Sequence, residues 1–184
     1  MRTQLLTGAL AVAATSALIG LGTAPGSAQT LDPTPDPMTP GVTHERGILM
    51  ACTGDLGSRP VRVNLYENRT YGNYLEVQLG EGGGADEVGV SRQVKKPFVT
   101  RGSVRAAASL DGTKVRVTGT AVATTKVKKV REVVEDAGLR IVSKGTHTRL
   151  RDDLVLTYGT RSAELDCGDA FVYRLTVTKT SIVD

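Results

Sequence analysis

The sequence predicts an all-β, antiparallel fold with one disulfide, built either as a closed up-and-down barrel of the lipocalin type or as a sandwich. Three observations support this prediction. Apolar and polar residues alternate with a period of two, turn residues separate the alternating runs, and valine and threonine are abundant. The spacing of the turns indicates about eight to ten strands.

Alternating runs of apolar and polar side chains occupy residues 61–65, 75–79, 114–118, 139–141 and 171–178. Each run directs its apolar residues to one face and its polar residues to the other, as in an antiparallel sheet with one solvated face. Asp111-Gly112 and residues 136–138 lie between such runs and predict tight turns. Gly168-Asp169 predicts the turn before the last strand.

Residues 126–136 fit two kinds of secondary structure. Val127, Val130 and Val134 have the spacing of a helical stripe. However, β-branched residues are frequent here, and the charges are basic first and acidic last, opposite to the order that a helix dipole favours. We therefore predict a strand with a bulge.

Residues 1–28 predict a secretory signal peptide. Arg2 precedes an apolar, alanine-rich stretch over residues 5–21, and the small residues Gly26 and Ala28 stand at the positions expected before cleavage at Gln29. The alternative is a membrane anchor, for which the apolar stretch is short and is not followed by Lys or Arg residues that would stop transfer. We therefore expect a secreted, extracellular protein with no membrane span after cleavage.

Residues 29–43 predict a proline-rich linker, and residues 44–184 predict the all-β domain. Four of the seven prolines lie in the linker, where they favour extended backbone and prevent helix or sheet. Cleavage removes one of the 23 basic residues and none of the 19 acidic ones, which leaves a net charge of +3. This charge is well below that of a typical polyanion-binding domain, and we expect no nucleic-acid partner.

The two cysteines, Cys52 and Cys167, predict one disulfide. An exported chain meets an oxidising environment, in which an even number of cysteines usually pairs. The bond would close a loop of more than a hundred residues, for which the chain-entropy model gives a stabilisation of about 4–5 kcal/mol. A catalytic or metal-binding cysteine is the alternative, although no CxxC or Cys/His cluster accompanies either residue.

A predicted hairpin between two of the alternating runs supplies the candidate binding residues Tyr66, Asn68, Arg69, Tyr71 and Tyr74. Tyrosine, asparagine and arginine on a loop combine a large amphipathic contact area with adaptable hydrogen bonds, as recognition surfaces do. The alternative is a structural turn whose tyrosines pair across the two strands.

A basic cluster suggests a second candidate surface. Its residues lie close together or at alternating strand positions, so one solvated sheet face could be positive and hold an anionic polymer. The alternative is a solvated edge strand, where lysines prevent aggregation. The residues concerned are Lys126, Lys128, Lys129 and Arg131, together with Arg62, Arg116 and Arg140.

Residues typical of catalytic sites are scarce. His44 and His147 are the two histidines, and neither lies in a recognised metal or catalytic motif. His147 with Asp152 or Asp153 is the remaining acid–base candidate. The acidic, glycine-rich residues 81–87 lack the ligand spacing of a calcium loop. We therefore expect no cofactor and no metal site.

The layout resembles that of short exported β-domain proteins of high-GC Gram-positive bacteria. The likeness lies in the alanine-rich signal, the proline linker and the segments at residues 50–54 and 135–138. Those proteins have no assigned activity, so the resemblance implies no site residue. A fainter likeness, carried by Cys52, Cys167 and the strand number, is to secreted lysozyme-inhibitor β-barrels.

These features favour a secreted, non-catalytic binding protein that acts on an extracellular protein or on an anionic polymer of the cell envelope. A secreted hydrolase with a carboxylate/His site is one alternative, and a structural component of the envelope is another. Fold class does not decide between these three functions.

Overall fold

The computed structural model describes residues 39–81 and 87–182, which form nine β-strands. The predicted signal peptide, most of the linker and most of the acidic loop lie outside the described residues. No helix in the described ranges is long and apolar enough to cross a membrane. In chain order the strands are β1 (Gly41–Leu56), β2 (Arg59–Asn68), β3 (Gly72–Leu79), β4 (Val88–Val94), β5 (Val99–Thr100), β6 (Ser103–Leu110), β7 (Thr113–Asp136), β8 (Leu139–Tyr158) and β9 (Arg161–Ser181).

The nine strands form one antiparallel sheet. Its order is β4-β3-β2-β1-β9-β8-β7-β6-β5, so all neighbours except β1 and β9 are also consecutive in the sequence. In the β1–β9 ladder Cys52 lies opposite Cys167, and the two sulfurs are bonded. The predicted antiparallel all-β fold, its strand number and its disulfide are confirmed.

The sheet curls into a half-barrel that does not close, so the predicted closed barrel or sandwich is wrong. Closure would require a ladder between the two ends of the sheet. β5 has only two residues and follows Pro97, which has no N–H to donate to a ladder. The Glu67 side chain instead fixes the start of β5. Its carboxylate accepts backbone hydrogen bonds from Phe98 and Val99 at 2.5 and 2.6 Å.

The half-barrel encloses an aliphatic core. Alternate residues of the strands enter it, as the period of two predicts. Phe98 is the aromatic residue of this core. Each large apolar side chain withdrawn from water contributes about 1.5–3 kcal/mol. The largest fully buried side chains are Met50, Leu56, Val61, Val63, Leu65, Leu75, Val77, Leu79, Val104, Val115, Leu154 and Leu156.

Beyond the register shifts in their ladders, four strands form a section of the sheet called the arm here: residues 41–51 of β1, 127–136 of β7, 139–149 of β8 and 169–181 of β9. Residues 47–51 still pair with β2, so the arm and the half-barrel overlap there. Register shifts in all three of its ladders lie at its base, and such bulges increase the local twist of a sheet. The Arg149 guanidinium donates to the carbonyl oxygens of Gly168 and Cys167 at 2.6 and 3.0 Å. The turn predicted at Gly168-Asp169 is therefore wrong, because both residues lie in this bulged part of β9.

Residues 126–136 belong to β7, and the ladder with β8 shifts register between Ala123 and Val127. The predicted bulged strand is thus confirmed. At the other side of the arm, β1 begins at Gly41, so the strand includes the last residues of the predicted linker.

Two-residue turns join several strands, and their backbone angles match the hairpin turns that right-handed twist favours. Asp111 and Gly112 have φ values of 48° and 73°, as their sequence predicts. Ala137 and Gly138 adopt 47° and 76° between β7 and β8. Alanine rarely adopts this left-handed conformation, because its Cβ approaches the following carbonyl oxygen.

Candidate functional site

The arm has two faces, and its register decides which side chains share each of them. Residues opposite one another in an antiparallel ladder project to the same face, and successive residues project to opposite faces. The three ladders of the arm therefore arrange its residues in rows that run from β7 through β8 and β9 to β1.

Two adjacent rows on one face carry an unusual concentration of positive charge. One row contains Lys129, Thr146, Arg174 and Arg46. The next row contains Arg131, Lys144, Thr176 and His44. The face of the arm that carries these two rows is called the basic face.

The five cations of the two rows are all exposed to solvent. Neighbouring strands lie about 4.8 Å apart and successive residues on one face about 7 Å apart, so the five charges occupy a small area. Among the described residues of this face, Glu135 is the one carboxylate, and it lies opposite Arg140. The result is an exposed surface with a positive local potential.

The sequence predicts part of this surface. Lys129, Arg131 and Arg140 lie on the basic face, whereas Lys128 projects from the opposite face of the arm. Arg62 and Arg116 belong to the half-barrel, where they lie opposite Gln78 and Thr157. The predicted cluster therefore does not form one face, because the structure divides it and places three of its residues on the basic face of the arm.

Arg46, Lys144 and Arg174 were missed because they lie on three strands that are distant in the sequence. Arg46 and Arg174 face each other in the β1–β9 ladder, yet 127 residues separate them in the chain. None of the three has another basic residue as its immediate neighbour in the chain. No local signal distinguishes them from ordinary solvated strand residues.

The candidate binding hairpin has Asn68 at its centre, and this residue is buried, with 2% of its surface exposed. Its carbonyl oxygen accepts hydrogen bonds from the backbone N–H groups of Thr70 and Tyr71 at 2.8 and 3.2 Å, which stabilise the turn. Its amide group donates to Glu45 at 2.9 Å and to the Tyr66 hydroxyl at 2.7 Å. Asn68 therefore connects the hairpin to β1.

The Tyr66 side chain is half-buried. Its ring stacks on that of Tyr173, with ring centroids 6.0 Å apart, and the Tyr173 hydroxyl donates to the Glu67 carbonyl oxygen at 2.8 Å. Burial raises the pKa of both tyrosine hydroxyls, because the phenolate form loses its hydration. Tyr74 is half-buried and lies opposite Tyr66, as a structural hairpin predicts.

The tip of the hairpin has one buried contact and one exposed residue. The Lys179 ammonium donates to the Tyr71 hydroxyl at 3.2 Å and lies 5.4 Å from the centre of its ring. Arg69 is exposed. Tyr66, Asn68 and Tyr71 therefore all have structural contacts, and their role in binding stays a prediction.

The acid–base candidates His147 and Asp152 lie beside other residues and not beside each other. The His147 ring stacks on Phe171 with centroids 4.0 Å apart, and burial lowers the pKa of the imidazole. Burial also raises the pKa of Asp152, and repulsion by Asp166 acts in the same direction. No group of three or more His, Cys, Asp or Glu side chains within the described ranges is arranged to hold a metal ion.

The open grooves on the half-barrel include two that described residues line. The larger, of about 730 Å³, is lined by Arg62 and by the carboxylates of Asp55, Glu164 and Asp166. The smaller, of about 420 Å³, lies between β4 and β6 where the sheet stays open. Neither groove borders the basic face, because both are lined by half-barrel residues.

Comparison with known proteins assigns no relative to this chain. A scan against protein-family models matched none, and searches of curated proteins and of solved structures found no significant similarity. Any functional conclusion therefore depends on the site itself.

Proposed function

We propose that this chain is a secreted, non-catalytic binding protein that holds an anionic polymer of the cell envelope on the basic face of the arm. The observation that carries the proposal is the pair of adjacent rows in which five exposed cations lie together without a carboxylate.

The chemistry of the two rows suits phosphate or carboxylate groups. Arginine presents a planar fork of donors that matches both groups, and lysine adds a flexible point charge. Thr146 and Thr176 lie within the rows and add hydroxyl groups that can donate or accept. The arrangement therefore offers both charge and directed hydrogen bonds.

The shape of the face favours an extended ligand over a small anion. Four strands at a spacing of about 4.8 Å make the rows about 14 Å wide, enough for several repeat units of a polymer. A small anion would need an enclosed site to bind tightly, because water screens single exposed contacts. Many weak contacts along a chain can add up instead.

The extracellular part of the proposal is supported by the Cys52–Cys167 disulfide. Such bonds persist in oxidising compartments and are rare in the cytosol of most organisms. The signal peptide that residues 1–28 predict supports the same location.

The test is binding to two soluble polymers, polyphosphate and polygalacturonate, measured by calorimetry at increasing NaCl concentration. Binding should weaken steeply with salt, because exposed charges are screened. The triple variant Arg46→Gln/Lys144→Gln/Arg174→Gln should bind about tenfold more weakly, from three exposed contacts of about 0.5 kcal/mol each.

The matched control is Arg62→Gln/Arg116→Gln/Arg161→Gln, which removes the same charge from exposed positions of the half-barrel. It should retain most of the affinity. Equal losses in the two variants would overturn the proposal, since only net charge would then matter. Tighter binding to single-stranded DNA than to either polymer would also overturn it, and shortening of a polymer would favour the hydrolase alternative.

A further inference from the structure

Residues 122–136 of β7 form a strand edge that no described residue covers. β8 pairs with one side of this segment, whereas β6 pairs with β7 only as far as Thr120. The last backbone bond on the β6 side runs from the Ala121 N–H to the Gly102 carbonyl oxygen at 2.8 Å. Beyond it, a long edge presents backbone donors and acceptors, which is a template for another strand.

The side chains of this segment are apolar and charged in a definite order. Val127 and Val134 are 59% and 43% exposed, which is high for valine in a strand. All the cations precede all the carboxylates: Lys126, Lys128, Lys129 and Arg131 come before Glu132, Glu135 and Asp136. The segment therefore has a basic half and an acidic half.

This order of charges is complementary to itself. Lysines on an edge normally prevent identical strands from pairing, because like charges would meet. A parallel pair of these segments would suffer that repulsion. An antiparallel pair instead places the basic half of each segment opposite the acidic half of the other, and opposite charges across a ladder are favourable.

We propose that a second copy of this chain covers the edge, through antiparallel pairing of the two β7 segments about a two-fold axis. With the axis perpendicular to the sheet, one register places Val130 opposite Val134 of the second copy. The same register places Lys128 opposite Asp136 and Lys129 opposite Glu135. By symmetry each pair occurs twice, so the interface contains four ion pairs and two valine pairs.

The axis in this register passes midway between Glu132 and the Glu132 of the second copy, which lie opposite each other. This like-charge pair weakens the dimer and also marks the register, because only a residue on the axis meets itself. The pairing joins the two arms into one sheet of eight strands, with both basic faces on the same side. Self-association requires no polymer, so its test is independent of the proposed function.

The first test exchanges charges. In sedimentation experiments without polymer, the purified chain should have twice the mass of one copy. Lys128→Glu/Lys129→Glu should be monomeric, and so should Glu135→Lys/Asp136→Lys, because each places like charges across the ladder. Mixing the two variants should restore a dimer that contains one chain of each.

The matched control is Lys114→Glu/Arg116→Glu, which makes the same change of charge on the part of β7 that β6 covers. This variant should stay dimeric. If it dissociates as the edge variants do, or if the two edge variants fail to combine, the charge-paired register is wrong. A monomeric wild-type chain throughout the micromolar range would overturn the dimer itself.

The second test identifies the register with one new thiol. The two native cysteines are bonded to each other, so Glu132→Cys introduces a lone thiol. Because residue 132 meets itself at the axis, this variant should form a covalent dimer rapidly on mild oxidation. Val133→Cys should cross-link far more slowly, since its counterpart lies opposite Arg131. Equal rates for the two variants would contradict the register.

Discussion

The hydroxyl of Tyr173 donates a hydrogen bond to the backbone carbonyl oxygen of Glu67 at 2.8 Å, although the two residues are 106 positions apart in the sequence. The bond spans β1, which lies between β9 and β2 in the sheet. It passes beside Gly47, the residue of β1 opposite Tyr173. The lack of a side chain at position 47 is therefore what allows the bond to form.

Gly47→Ala should lower the free energy of unfolding by about 1–3 kcal/mol, because overpacking in a tight site carries a cost of this size. A Cβ at position 47 would collide with the Glu67 carbonyl oxygen and lie 2.5 Å from the Tyr173 hydroxyl. Urea unfolding measures the change. Gly168→Ala is the control, since a Cβ there meets nothing within 4 Å. Similar losses in both variants would contradict the assignment.

Stability should fall as pH rises above about 10, and Tyr173→Phe should reduce this dependence. Burial raises the pKa of the Tyr66 and Tyr173 hydroxyls above the ordinary value of 10.0, so the unfolded chain ionises first and alkaline pH favours it. At neutral pH the variant should lose about 1 kcal/mol from the missing hydrogen bond. Urea unfolding from pH 7 to 11 measures both effects, and an unchanged pH dependence would contradict the prediction.

Ala137→Gly should stabilise the chain by about 1 kcal/mol, because glycine removes the strain of a left-handed alanine. The residue has a φ of 47° in the turn between β7 and β8. The control is Ala107→Gly at an exposed position of β6, where glycine should lower stability by about 0.5–1 kcal/mol. Thermal unfolding compares the two, and a loss of stability at position 137 would argue against this turn.

Tyr71→Ala and Arg69→Ala test the hairpin. Tyr71→Ala should lower stability by about 1 kcal/mol, since it removes the contact with the Lys179 ammonium. Arg69 is exposed, so Arg69→Ala should change stability by less than about 0.5 kcal/mol. Thermal unfolding provides the measurement. An unchanged stability for Tyr71→Ala would leave its side chain available for recognition, as the sequence predicts.

Several elements were predictable because their signals are local. Alternation over residues 61–65 and 75–79 depends on neighbouring side chains, and the structure places both runs in paired strands. The turn at Asp111-Gly112 depends on two residues whose types tolerate positive φ. The turn assigned to Gly168-Asp169 failed because the same residue types also occur in bulges.

The candidate site was predictable only in part. Lys129 and Arg131 stand out in the sequence because they are close together. Arg46, Lys144 and Arg174 join them only through ladder registers between distant strands. A shift of one residue in any of these registers would move a strand's charges to the other face of the arm.

The sequence by itself determined the strand class, the two-cysteine disulfide and the charge order of residues 126–136, since each depends on residue type and short spacing. The tertiary structure alone decided that the half-barrel stays open beside Pro97 and that four strands extend as an arm. It also decided which cations share a face. These features depend on long-range pairing, in which many registers satisfy the same local pattern and the packing of the whole sheet selects one.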